Sequence, residues 1–264
     1  ILFVQNAIAT VSSFKGNKRK FNILHSKYQI VSLVSYIFRQ MYNLEDLNKY
    51  KISWAQKKET FQKNILSHYV ADIISNEWHE GGGNKVYTAI KENRYSEEIS
   101  KDRWASLLDN YYQNQLANKQ SERFSNPTNA DSVILNCIYS NIFTANDQLS
   151  SKKFDIEHLA TKEKMKKLIK KFDGLRLPIA CIANLCYLPE DVNRGKREKT
   201  IYEVHNMSLP LHEIESKFSF TKQSDLDWIF IEYSDPESLQ SNYYKYLYSR
   251  YLILKTKFLN AFGY

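Results

Sequence analysis

Apolar positions recur at helical spacing through the first 143 residues. Ile30, Val34, Ile37, Phe38 and Met41 follow one another at steps of 4, 3, 1 and 3, which places them on one face of a helix. A second helix is predicted over 54–78, where Phe61, Ile65, Tyr69 and Ile73 return every four residues among Lys, Gln and Glu. Gly81-Gly82-Gly83-Asn84 breaks it. A third helix is expected from Ser100, a candidate N-cap, through Trp104, Leu108 and Tyr111 towards Arg123. Asn126-Pro127-Thr128 separates it from a fourth over 130–143, with Val133, Ile134, Cys137, Ile138 and Phe143 facing inward.

Beyond residue 150 the texture changes. Residues 153–159 read as a short strand, 162–172 as a very basic helix, 179–188 as an apolar strand and 190–202 as a short helix. After a looser stretch at Leu209-Pro210, two more helices are predicted near 224–233 and 236–262. The expected architecture is mainly α: a helical region over 1–150, a strand–strand–helix module over 151–205, and helices over 206–264 packing on it as one composite domain.

A chain of 264 residues with 43% hydrophobic positions can bury a core, and only 7 Gly and 5 Pro suit a helical chain. The balance of 37 basic against 29 acidic residues gives +8, which suits a polyanionic partner without requiring one. Cys137, Cys181 and Cys186 are odd in number and form no C-x-x-C pair. They point to neither a disulfide framework nor a four-thiolate zinc site, and a reducing, cytoplasmic setting is expected. No apolar run approaches the ~20 residues of a membrane span, so no membrane association is expected. The opening at Ile1 raises the expectation that further sequence precedes it. A phosphate-cradling P-loop, a Rossmann fingerprint and a G-x-S-x-G elbow are all missing from the sequence, which removes support for nucleotide hydrolysis here.

Three pieces carry candidate chemistry: Phe154-Asp155-Ile156-Glu157-His158, Ile182-Ala183-Asn184-Leu185 and Asn193-Arg194-Gly195-Lys196. They supply an acid beside a histidine at a strand end, an amide in the next strand, and a second amide at a helix start followed by Arg and Lys. Such a unit is able to hold one divalent cation between a carboxylate and an amide oxygen. Strand alternation puts Asp155 on the face of Glu157, where a further acidic contact and a structural salt bridge are equally open.

These pieces resemble the HNH, or ββα-metal (His-Me finger), nucleases, and in particular the C-terminal HNH domain of GmrSD-type, modification-dependent restriction systems. The matching residues are Ile156-Glu157-His158, Ala183-Asn184-Leu185, Asn193, Lys199 and Tyr202, and the Asn193–Lys196 run is also similar to the HNH domain of RNA-guided CRISPR nucleases. The resemblance covers residues 153–202. Ala183 stands where the family has Gly, and Ala160-Thr161 where Pro is frequent.

The resemblance implies a DNA endonuclease of restriction systems acting on foreign, possibly modified, DNA. It assigns His158 as general base, Glu157 and Asn193 as ligands of Mg²⁺ or Mn²⁺, and Asn184 as the middle residue of the catalytic motif, bracing the loop or orienting His158. Arg194, Lys196 and Lys199 would hold flanking phosphates, with an upstream ParB-like, nucleotide-hydrolysing domain or subunit as partner. The lysine-rich stretch with Lys166, Lys167 and Lys170 is either a solvated helix face or a DNA-facing one. Two other readings remain open: a catalytically silent, basic DNA-binding module, and a helical interaction scaffold.

Overall fold

The computed structural model describes residues 1–12, 26–80, 82–117, 126–140, 154–196, 198–204 and 209–264. Helix α1 (Leu2–Ser12) is followed by α2 (Lys27–Met41), capped by the Ser26 hydroxyl accepting from the Tyr28 N–H. A small antiparallel hairpin comes next, β1 (Tyr42–Asn43) with β2 (Asp46–Tyr50). No periodicity announces it. It rests on the Tyr42–Tyr50 ring stack at 5.0 Å and on local turns in which Asn43 and Asp46 side chains accept from Glu45 and Asn48 N–H groups.

Helix α3 (Ile52–Ile74) buries the predicted Phe61, Ile65, Tyr69 and Ile73, but ends before the expected residue 78. Asn76 takes the left-handed conformation (φ 54°), and the Glu77 N–H returns to the Asp72 carbonyl at 2.9 Å, which closes the helix. The glycine run read as a break opens α4 (Gly82–Lys91) instead. A Cβ on Gly82 would lie 3.0 Å from the Tyr28 ring, so glycine lets α4 approach α2 closely.

Ser100 caps α5 (Lys101–Ala117) as expected, accepting from the Arg103 N–H. The predicted extension to residue 123 lies outside the described residues, as does Phe143 of the fourth helix. That helix is α6 (Asn129–Ser140), in which Val133, Ile134, Cys137 and Ile138 are buried as expected. Thr128 and Asp131 cap each other at its start.

In the second half, β3 (Phe154–His158) is followed by α7 (Lys162–Lys170), whose N-cap Thr161 accepts from the Lys164 N–H. Residues Ile182–Asn184 form a 3-10 turn rather than strand, and β4 (Leu185–Pro189) starts only after it. β3 and β4 pair antiparallel, with Glu157 opposite Cys186 and His158 opposite Leu185. Helix α8 (Glu190–Lys196) stops earlier than the sequence suggested, and a 3-10 turn follows at Ile201–Val204.

A short helix, Leu211–Glu213, continues as π-helix Ile214–Ser219, and a 3-10 helix at Gln223–Phe230 replaces the expected α-helix. The long α9 (Pro236–Ala261) begins with Asp235 as N-cap and Pro in the first turn.

Helices α1, α3 and α6 pack on one another, and α9 lies against α5, α6 and the 182–184 turn. Buried apolar residues of the N-terminal helices, both strands β3 and β4, and α9 belong to one continuous cluster. Among the described residues the chain is thus mainly helical with two small antiparallel sheets. Among the described residues no helix is long and apolar enough to cross a membrane.

Candidate functional site

Of the side chains singled out by the sequence, Asp155 and Glu157 of β3 meet Asn193 and Lys196 where α8 lies against β3. Asp155 and Glu157, two residues apart on β3, both reach α8. The Asn193 amide donates to Asp155 Oδ2 at 3.3 Å, and Lys196 Nζ lies 3.0 Å from Glu157 Oε1. The alternation of a strand accounts for this shared face. His158, next along, ends β3, and its side chain is buried at 3% exposure. The chain then bends at Leu159-Ala160.

Asn184 fixes that bend. Its Oδ1 accepts from the Ala160 N–H at 2.8 Å, and its Nδ2 donates to the carbonyls of Ala160 and Ile179. Its own carbonyl accepts from the Leu159 N–H at 2.9 Å, continuing the β3–β4 ladder past His158. Asn184 is fully buried, so these bonds stand in for water on both sides of the loop. Its role in the structure is that of a brace on the residues that follow His158.

A residue the sequence reading missed holds Asn184 in turn. Arg250 of α9 is 1% exposed and donates to four carbonyls: Ser219, Ile182, Ala183 and Leu185. Three of them surround Asn184, so the guanidinium fixes the 182–184 turn. The signal was present: Arg250 interrupts the apolar stripe Tyr243, Leu247, Leu254 at the spacing of a buried position.

The basic residues divide into engaged and open ones. Lys196 is buried against Glu157, whereas Arg194 is exposed and ion-paired with Glu190, one turn earlier. Lys199 is exposed. On α7, Lys164 bonds Glu203 and lies over the Phe230 ring; Lys166 pairs with Glu163; Lys167 pairs with Glu198. The Lys167–Glu198 hydrogen bond raises the lysine above its usual range and lowers the glutamate. Burial lowers Lys162, an effect that nearby Glu157 opposes. Among the described residues no carboxylate stands within ion-pair range of Lys170, Lys171 or Lys199. Tyr202, part of the resemblance, is buried and anchors to Ser219 and Thr221 rather than lining the α8–β3 contact.

The donors available to a metal here are the Asp155 and Glu157 carboxylates and the Asn193 amide oxygen. All are hard oxygens, matched to Mg²⁺ or Mn²⁺ in chemistry. In this structure the buried ammonium of Lys196 is the cation that faces Glu157. Soft ligands are excluded by burial, which pushes the Cys181 and Cys186 thiols up to about 12 and Cys137 still higher. Among the described residues no three His, Cys, Asp or Glu side chains converge as a metal-ligand group; the set here relies on an amide. Comparison of the chain with protein-family models, with curated proteins and with solved structures returned no match.

Proposed function

We propose that this chain is a metal-dependent endonuclease of HNH type, hydrolysing DNA phosphodiesters at the contact of β3, β4 and α8. One observation carries the reading: the Asp155/Glu157 face of β3 meets Asn193 and Lys196 of α8, while Asn184 braces the bend after His158. Acid and amide come together at this contact, and His158 follows Glu157 in sequence at the end of β3, the order that the resemblance to ββα-metal nucleases calls for.

In this reading His158 takes the proton from the attacking water, a task suited to an imidazole whose ordinary pKa is about 6.5. Glu157 and Asn193 hold a Mg²⁺ or Mn²⁺ ion, and Asp155 fixes the Asn193 amide so that Oδ1 is left for the cation. When bound, that ion offsets charge on the phosphate and the departing oxygen. Asn184 keeps His158 in register through the Leu159-Ala160 backbone. Arg194 and Lys199, both exposed, hold flanking phosphates. His158 is only 3% exposed, so substrate binding must bring water to it. The biological setting, restriction of foreign DNA together with an upstream ParB-like domain, rests on the resemblance alone.

Plasmid cleavage in Mg²⁺, Mn²⁺ or EDTA tests the reading. Metal-dependent nicking by the wild type, lost in both His158→Ala and Asn193→Ala proteins that still fold, is the expected result. Undiminished cutting by His158→Ala overturns the assigned base. A second reading, a DNA-binding module without chemistry, draws on the same pocket: Glu157 already has a cationic partner in Lys196. It requires DNA binding in EDTA and no cleavage in any metal.

A further inference from the structure

We propose that Lys196 is the resident counter-cation of the Glu157 carboxylate, and that a divalent ion reaches Glu157 only by displacing the lysine ammonium. This rests on the reading of the pocket as a metal centre and adds a control to it. Lys196 Nζ lies 3.0 Å from Glu157 Oε1, and its side chain is 2% exposed, against 19% for Glu157. An ammonium is costly to bury and stays buried only where a carboxylate faces it. A lysine held for phosphate contact needs the opposite placement. The flanking Arg194 and Lys199 have that placement, being exposed, whereas Lys196 is turned inward.

An ammonium and a divalent ion on one carboxylate repel strongly in a partly dry pocket. Contact with Lys196 and contact with the metal therefore exclude each other, and the exclusion acts equally in both directions. The local chain allows the exchange. Lys196 is the last residue of a seven-residue helix, and a Cβ on the preceding Gly195 would meet nothing within 4 Å. Without metal the lysine keeps Glu157 neutralised and the β3–α8 contact intact. With metal, the expelled ammonium joins Arg194 and Lys199 on the exposed side, where a phosphate backbone would lie. Metal loading thus completes the polyanion-binding surface.

The test compares the full chain with Lys196→Met and with Lys196→Met/Glu157→Gln, by calorimetric Mn²⁺ titration at one fixed pH and by thermal unfolding in EDTA. Lys196→Met should bind Mn²⁺ about tenfold more tightly, within the usual span of coupling between sites. It should also melt below the wild type in EDTA and gain more from Mn²⁺. The double variant should recover the EDTA melting temperature and lose the tight Mn²⁺ binding.

A measurement on the unmodified sequence needs no variant to fold. Brief treatment with an amine-acylating reagent, read by mass spectrometry, should leave Lys196 protected in EDTA and expose it in Mg²⁺, with Lys199 reactive in both. Mn²⁺ binding by the wild type with no gain in Lys196→Met, or Lys196 equally protected with and without Mg²⁺, overturns the displacement while leaving the metal centre standing. Absence of Mn²⁺ binding in both proteins overturns the two together.

Discussion

His68 on α3 shows how a single titratable group can set a pH limit on this fold. Its Nε2 lies 2.9 Å from the Glu97 carbonyl, which can only accept, so Nε2 carries the proton. Its Nδ1 is buried with no hydrogen-bond partner among the described residues. Desolvation lowers the folded-state pKa; the Glu97 carbonyl and Asp72 pull it up, and Arg103 and Arg94 push it down. The net direction is downward from the ~6.5 of a free histidine. As pH falls through about 6.5 the unfolded chain therefore takes up a proton before the folded one does. This stabilising contribution is complete above that pH and fades below it, by at most about 1.4 kcal/mol per pH unit. His68→Gln keeps a donor for Glu97 but does not titrate. Its urea midpoint should fall less than the wild type's between pH 7 and pH 5, and an equally steep fall in both proteins would remove His68 as the cause.

At the scale of elements, α9 fixes the turn that the candidate site depends on. Arg250→Met keeps much of the side-chain volume but takes the guanidinium away from four buried carbonyls, of which Ile182 still accepts from the Leu185 N–H. Loss of a buried charged donor costs roughly 3 kcal/mol or more, and this change should lower the melting temperature by several degrees. Arg250→Lys should rescue little of it, because one ammonium cannot span the same acceptors in a plane. A melting temperature equal to wild type in Arg250→Met would show that the 182–184 turn holds without α9.

Elements also mark where the sequence was readable. Helix α2 forms as expected but buries Gln29, Ser32, Leu33, Tyr36 and Ile37, leaving Phe38 of the expected face exposed. Helices α3, α5, α6 and α9 follow from apolar periodicity, because each lays a stripe on the shared core. The 42–50 hairpin and the 182–184 turn do not, because they rest on a ring stack and on Arg250, contacts invisible to local pattern. The site was legible in part. The order of Glu157, His158, Asn184 and Asn193 identified the elements that meet. It did not show that Asn193 would face Asp155 and Lys196 would face Glu157. Those partners depend on which side of a seven-residue helix turns to β3, and so short a segment carries no periodicity to report it.

For the molecule as a whole, the formal charge of +8 overstates what a polyanion would meet on the face around α7. Lys164, Lys166 and Lys167 each have a carboxylate partner, and Lys196 is buried on Glu157. Lys170 and Lys199 are exposed and, among the described residues, have no carboxylate in ion-pair range. Only a cation that replaces condensed counterions contributes to the salt dependence of DNA binding, by about 0.9 in the log–log slope per phosphate neutralised. A lysine already tied to a glutamate must give up that partner first, so its net contribution is smaller. With EDTA present to prevent cleavage, Lys170→Ala/Lys199→Ala should flatten the slope by about 2. Lys164→Ala/Lys167→Ala should change it by less than half as much, because Glu203 and Glu198 lose their partners and offset part of the difference. A larger effect from the Lys164/Lys167 pair would mean that DNA breaks those ion pairs and lies along α7 itself, and an unchanged slope in both variants would place the polyanion on another face.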